Sequence, residues 1–184
     1  MDIHDNNGNS KNGWFPTIVD SLVDNPEEGP LTASYGLDAE QVKQVLNRAI
    51  ASEMVSYLSY TAQALAARGI RAQTIVKEFN EHADQELGHA GALLTRLDEI
   101  GGEPKLDPAS IGRLSIHPYQ GGGTLAEMLE YQLEAERRAV EFYRDAVQWL
   151  GDKDPTTRRV FEDILAVEER HANDLQGLSA NLKK

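Results

Sequence analysis

The chain has 184 residues, no cysteine and a formal charge of -12. That length suits one domain with a full core. Without cysteine there are neither disulfides nor thiolate metal sites, so any metal ligands are nitrogen and oxygen, and the acidity opposes general affinity for phosphate backbones while favouring cations. No apolar run approaches the length of a membrane span, and the residues from Met1 to Asn6 lack the basic and apolar regions of a signal peptide; a cytoplasmic protein without membrane association is expected.

Residues 1–36 read as an N-terminal tail, partly disordered, ahead of one helical body over 37–184. Met1 to Gly13 is polar and rich in Asn and Gly. Trp14, Phe15, Ile18, Val19, Leu22 and Val23 suffice for a short element that docks on the body or on a neighbouring subunit. The tail carries six acidic residues against Lys11 alone, unlike a basic arm that grips DNA.

Asp38 with Gln41 opens a long helix to about Ala67, whose inner stripe runs through Val42, Leu46, Ala49, Glu53 and Tyr60. Gly69 and Arg71 mark a short turn, so a second helix from Arg71 to Ile100 returns antiparallel to the first. Its seam reads Phe79, Ala83, Glu86, Ala90, Leu93, Leu97, steps of three and four that fall on one face. Glu86 and His89, a Glu-x-x-His pair, therefore point inward. The helix stops at Gly101 and Gly102.

The connection over 101–123 holds three prolines and the run Gly121, Gly122, Gly123. A link of that length needs a reason. Crossing the full length of a bundle supplies one, and makes the second and third long helices parallel. Thr124 and Glu127 form a capping box for the third helix, which reads Leu129, Leu133, Glu136, Val140, Tyr143, Val147, Leu150 and ends at Gly151. Asp154 and Pro155 open the fourth, with the seam Val160, Ile164, Glu168, His171, Leu175, Leu178, fading near Ala180.

One unit thus occurs twice: a helix with an inward Glu, then a helix with an inward Glu-x-x-His. Glu53 precedes Glu86 by 33 residues, Glu136 precedes Glu168 by 32, and the two Glu-x-x-His pairs are 82 apart. An ionised carboxylate in an apolar interior is costly without compensation. Two divalent cations would neutralise four glutamates while two neutral imidazoles complete the ligation, the pattern of di-iron and di-manganese carboxylate bundles. The expected architecture is an all-α four-helix bundle with a long crossover between helices two and three and metal ligands midway along its axis.

Residues 37 to 178 resemble the ferritin-like superfamily, and within it the bacterioferritin and Dps-like branch, the relatives of the DNA-binding protein from starved cells. The resemblance rests on Glu53, Glu86-x-x-His89, Glu136 and Glu168-x-x-His171, and on Gly101 to Leu106 at the start of the crossover, which is similar to the bacterioferritin connection. It implies Glu53 and His89 on one metal, Glu136 and His171 on the other, and Glu86 and Glu168 bridging them. The haem-ligating methionine of bacterioferritin would follow the first bridging Glu; Leu87 stands there, so no haem is expected. Only 13 residues follow His171, too few for the short fifth helix of 24-subunit shells, which favours a homo-oligomer of 12 subunits. The cysteine pair of archaeal Dps-like proteins is missing.

The activity this resemblance implies is a di-iron ferroxidase with two iron ions per subunit. It would oxidise Fe(II) with hydrogen peroxide or dioxygen, for iron storage and detoxification and for protection from oxidative stress. The sequence does not separate manganese from iron, so a manganese catalase or another peroxide-reducing dimetal enzyme is one alternative. A DNA-protecting Dps-type shell is another, unsupported by the charge. Tyr60 matches a tyrosine beside the bacterioferritin centre and is either a hydrogen-bond partner and electron donor or a packed core aromatic. Tyr143, also seven residues after its glutamate, reads as core packing. His82 reads as a polar residue near the bundle rim, with gating of iron transit as the other reading. His4 and His117, in tail and loop, carry no assignment.

Overall fold

The computed structural model describes residues 29–32 and 35–182, and among them are five helices and no strand. The long ones are α1 (Ala39–Ala66), α2 (Ala72–Glu99), α4 (Leu125–Leu150) and α5 (Pro155–Leu182); α3 (Pro108–Leu114) is a short helix within the crossover. The tail through residue 28, with the expected Trp14 to Val23 element, lies outside the described residues.

Local signals set the boundaries. The Asp38 carboxylate accepts from the backbone N–H of Glu40 and Gln41 at the start of α1. At the end of α2, Gly102 N–H donates to Leu97 O and Gly101 N–H to Asp98 O, a Schellman closure. Gly101 takes φ +68° there, and a side chain at Gly102 would collide with Leu97. Thr124 and Glu127 make the reciprocal capping box of α4. Asp154 caps α5 by accepting from Thr157 N–H at 2.9 Å.

Cross-bundle contacts give the directions. Tyr60 meets Glu136 and Tyr143 meets Glu53, so α1 and α4 are antiparallel. His82 stacks on His171 and Arg96 donates to Thr157, so α2 and α5 are antiparallel as well. With two antiparallel hairpins, α1–α2 and α4–α5, this makes α2 and α4 parallel, the arrangement that the long crossover permits.

The crossover is clamped along α1 from end to end. Asn47 donates to Glu103 O and accepts from Lys105 N–H. Further along, Ser52 Oγ accepts from Ile116 N–H at 3.1 Å, Ser56 meets His117 Nε2 at 3.1 Å, and Ser59 Oγ accepts from Gln120 N–H at 3.3 Å. Gln63 donates to Gln120 O at 2.9 Å. Ser52, Ser56, Ser59 and Gln63 form a polar stripe at helical spacing beside the apolar one. The segment over 115–120 is a strap across α1 and α4, where Tyr131 donates to Pro118 O. His117, read from the sequence as an unassigned loop residue, is buried beneath it.

Two apolar blocks fill the bundle. One holds Leu46, Ile50, Leu93, Leu97, Leu150 and Phe161; the other holds Tyr60, Phe79, Met128, Leu129 and Leu175. Between them lies a belt of buried Glu53, Glu86, Glu136, Glu168 and His171. Each large side chain in the blocks stabilises the fold by about 1.5–3 kcal/mol, and a desolvated charge costs several kcal/mol. The blocks on either side offset the belt between them. Among the described residues no helix is long and apolar enough to cross a membrane.

Candidate metal centre

Glu53 sits on the inner stripe of α1 three residues beyond Ile50, and Glu136 one residue beyond Ala135 in α4; Glu86 and Glu168 follow Ala83 and Ile164 on the seams of α2 and α5. The structure brings all four carboxylates and both histidines of the repeat together. His89 Nδ1 lies 3.2 Å from Glu53 Oε2, 3.5 Å from Glu86 Oε2 and 3.0 Å from Glu168 Oε1. His171 Nδ1 lies 3.2 Å from Glu86 Oε1, 3.6 Å from Glu136 Oε1 and 3.6 Å from Glu168 Oε2. Each imidazole therefore faces one private glutamate and both shared ones. Glu86 and Glu168 each turn one oxygen to each histidine.

The four glutamates and His171 are no more than 2% exposed. In spite of the short distances, Glu86 Oε1, Glu168 Oε1 and His171 Nδ1 have no hydrogen-bond partner among the described residues. Buried polar atoms without partners are rare, and here they converge on one another. A pair of divalent cations fits them: the donors are hard oxygen and imidazole nitrogen, and the charges balance. His171 Nε2 lies 3.3 Å from Gln85 Oε1, an acceptor, so Nε2 keeps its proton and Nδ1 is the nitrogen that would give up its own to a cation.

The electrostatics of the metal-free belt follow from crowding. Burial, then repulsion from Glu168, Glu53 and Glu136, holds the Glu86 carboxyl well above its ordinary pKa. Burial and Glu168 raise Glu136 to about 7. Burial alone would raise Glu53 too, but its bonds with His89, Glu86 and Tyr143 together with the His89 charge outweigh that and lower it. Burial likewise opposes the charge on both imidazoles, yet contacts from Glu168, Glu53 and Glu86 carry His89 to about 12, and those from Glu136, Glu168 and Glu86 carry His171 to about 12. The belt seeks positive charge, and protons supply it when metals do not.

Tyr60 donates to Glu136 Oε1, across the bundle from its own helix. Tyr143, expected to be core packing, makes the same contact with Glu53 Oε1. Tyr143 is core packing as expected, fully buried against Phe142 and Phe161; the added contact arises because α1 and α4 are antiparallel, which carries each tyrosine to the other helix's glutamate. His82 is corrected: it is 2% exposed rather than at the rim, its ring stacks on His171 with centroids 3.8 Å apart, and its Nδ1 lies 3.1 Å from the Tyr60 hydroxyl. Position 82 falls on the side of α2 that packs against α5, which a count of apolar residues in α2 alone does not reveal.

Residues 43–184 match the family model described as ferritin-like domain. A DNA protection during starvation protein of Pyrococcus furiosus is 30% identical over 146 residues, covering 77% of this chain and 78% of that protein. A bacterioferritin of Rhodobacter capsulatus is 28% identical over 140 residues, covering 74% of this chain and 81% of that protein. Among solved structures, a dodecameric thioferritin, the bacterioferritin-related protein from Bacteroides fragilis, aligns with a TM-score of 0.77 at 31% identity, covering 80% of this chain and 89% of that one.

Proposed function

The chain belongs to the ferritin-like domain family, and from that premise we propose that it is a ferroxidase, taking two Fe(II) ions per subunit as substrate and oxidising them with hydrogen peroxide or dioxygen. The observation that carries this reading is the pair of shared glutamates, each with one oxygen toward either histidine. Glu53 and His89 hold one ion, Glu136 and His171 the other, and Glu86 and Glu168 bridge them. Bridged ions in two-metal sites stand about 3.5–4 Å apart and act on one reactant together.

Two Fe(II) give up two electrons, which with two protons reduce one hydrogen peroxide to two waters; no one-electron product is released. Carboxylate-rich ligation favours the Fe(III) product. The hydroxyls of Tyr60 and Tyr143 each bond to a private glutamate, which orients it and would link each phenol, as an electron donor, to the ion that glutamate holds. The assembly we propose is a shell of 12 subunits, as in the dodecameric Bacteroides fragilis relative, with the acidic charge drawing Fe(II) to it.

The names of the Pyrococcus furiosus protein and of a Synechococcus relative, a nutrient stress-induced DNA-binding protein, favour DNA binding as a second reading. The charge of -12 opposes it, and retardation of DNA at low salt would establish it.

The deciding experiment is anaerobic Fe(II) titration of the metal-free protein, then stopped-flow absorbance on adding peroxide or dioxygen, with Glu86→Ala as control. About two Fe(II) per chain and rapid oxidation, both lost in the variant, are expected. Binding without oxidation would replace the ferroxidase with a manganese enzyme, and oxygen evolution from peroxide would identify the catalase.

A further inference from the structure

Among the described residues one more group of side chains converges outside the paired centre. Glu78 and His82 on α2 and Asp174 on α5 each offer a ligand atom, and these atoms all lie within 4.8 Å of one another. They stand between α2 and α5, on the opposite side of the bundle from the strap over α1 and α4. His82 is buried, and Glu78 and Asp174 are half-buried, so the group reaches from solvent to the core. We propose that Glu78, His82 and Asp174 form a third site for a divalent first-row cation, a staging position for the paired centre; this role rests on the ferroxidase reading, whereas the site itself does not.

The positions of the protons carry the inference. The Tyr60 hydroxyl has one proton, which it donates to Glu136 Oε1. Its oxygen can therefore only accept from His82 Nδ1, 3.1 Å away. Nδ1 therefore carries a proton, and Nε2 is the nitrogen whose lone pair this bond leaves for a cation. That lone pair faces Glu78 Oε1 at 3.4 Å, and Nε2 makes no hydrogen bond among the described residues. Asp174 completes the group from α5. A lone pair set against two carboxylates in a partly desolvated cleft is repulsive, and a cation among them turns repulsion into ligation.

The chemistry suits such an ion. Two carboxylates balance a divalent charge, and one nitrogen with two oxygens is a ligand set for zinc, cobalt, iron or manganese. Bonds of about 2.0–2.2 Å set the ligands of one ion roughly 3.3–4.3 Å apart, so a small inward shift of the side chains closes the site. His82 also joins a second group, with Glu136 and His171, whose ligand atoms again lie within 4.8 Å. One imidazole is common to the outer cluster and to the inner position, which is what a hand-over requires.

The test is titration of the metal-free, full-length protein with Co(II) under argon, read by d–d absorbance and calorimetry, with circular dichroism to verify folding. The expected stoichiometry is about three Co(II) per chain in the wild type, about two in Glu78→Gln/Asp174→Asn, and about one in Glu86→Gln. A wild type that saturates at two, or a double variant that retains three, overturns the third site and leaves Glu78 and His82 as a simple pair. A wild type that binds one Co(II), lost in the double variant and kept in Glu86→Gln, upholds the third site and overturns the paired centre instead. The staging role predicts Fe(II) oxidation slowed about 10-fold in the double variant, and an unchanged rate overturns that role.

Discussion

Tyr143 on α4 donates its hydroxyl to Glu53 on α1, 90 residues earlier in the chain. Tyr60 on α1 returns the contact to Glu136 on α4. Glu53 turns Oε1 to its phenol and Oε2 to His89, whereas Glu136 turns the same Oε1 to Tyr60 and to His171. Burial, then the accepting carboxylate, raises both phenols well above their ordinary pKa, which keeps the donating proton in place. Tyr143→Phe should weaken the Glu53–His89 position about 10- to 100-fold and spare the other, and Tyr60→Phe should do the converse. Stepwise anaerobic Fe(II) titration reads the two positions, and equal losses at both in either variant would refute the pairing.

Glu86→Gln should abolish paired binding yet leave the metal-free protein at least as stable. Burial and repulsion from Glu168, Glu53 and Glu136 favour the neutral form of the wild-type carboxyl, so its neutral isostere breaks no ion pair and relieves the crowding. Denaturant unfolding of the metal-free proteins measures this. A variant clearly less stable than wild type would mean that the belt is held by charge pairing alone.

The metal-free protein should lose stability as pH rises. Glu136 goes from 4.5 unfolded to about 7 folded, so its contribution is fully present below 4.5 and is lost as pH climbs through about 7. His89 and His171 act in the same direction over a higher window, from 6.5 to about 12. Glu53 and Glu168, both lowered, matter only as pH falls below 4.5. Thermal melts at about pH 5.5 and about pH 8 should differ by on the order of 5 °C, with the acidic sample higher; a higher melting point at pH 8 would contradict this reading of the belt.

Metal loading at neutral pH should expel protons. Both imidazoles carry one before binding, and ligation requires them neutral. Addition of Co(II) to unbuffered protein should release at least about two protons per chain, and apparent affinity should rise with pH. A pH-stat trace without proton release would show that the histidines are already neutral.

Asp154 joins three elements: it caps α5, pairs with Arg96 of α2 at 3.4 Å and accepts from Tyr35 at 2.7 Å. Burial pushes its carboxyl up, but the bonds from Thr157 and Tyr35 outweigh that and lower it. Asp154→Ala should cost about 1–2 kcal/mol, chiefly through the lost cap, since Arg96 keeps Thr157 and Glu99 as partners. Equilibrium unfolding measures it, and a loss under about 0.5 kcal/mol would reduce the junction to surface decoration.

The sequence revealed the glutamates of the centre because a carboxylate in an apolar seam is conspicuous at helical spacing, and it revealed the helix ends because Asp38, Thr124 and Asp154 are side-chain caps. It did not reveal the crossed tyrosines, which depend on the antiparallel register of α1 and α4. The short helix α3 escaped because seven residues are too few to show a period, although Asp107 and Pro108 carry a capping signal. The stripe of Ser52, Ser56, Ser59 and Gln63 was silent for a different reason. Small polar residues on a helix ordinarily face water, and here they face a strap that only the folded chain brings over them.

The two hairpins lend each other what each lacks. His89 faces two glutamates of α1–α2 and also Glu168; His171 faces two of α4–α5 and also Glu86. Neither half alone closes either group, so the two cations of the proposed function would rivet one half to the other. A single such hairpin, facing its own copy about a two-fold axis, would hold the same ligands in the same places. This polypeptide carries in series what two identical short chains would supply in parallel, with the crossover as the link between its halves.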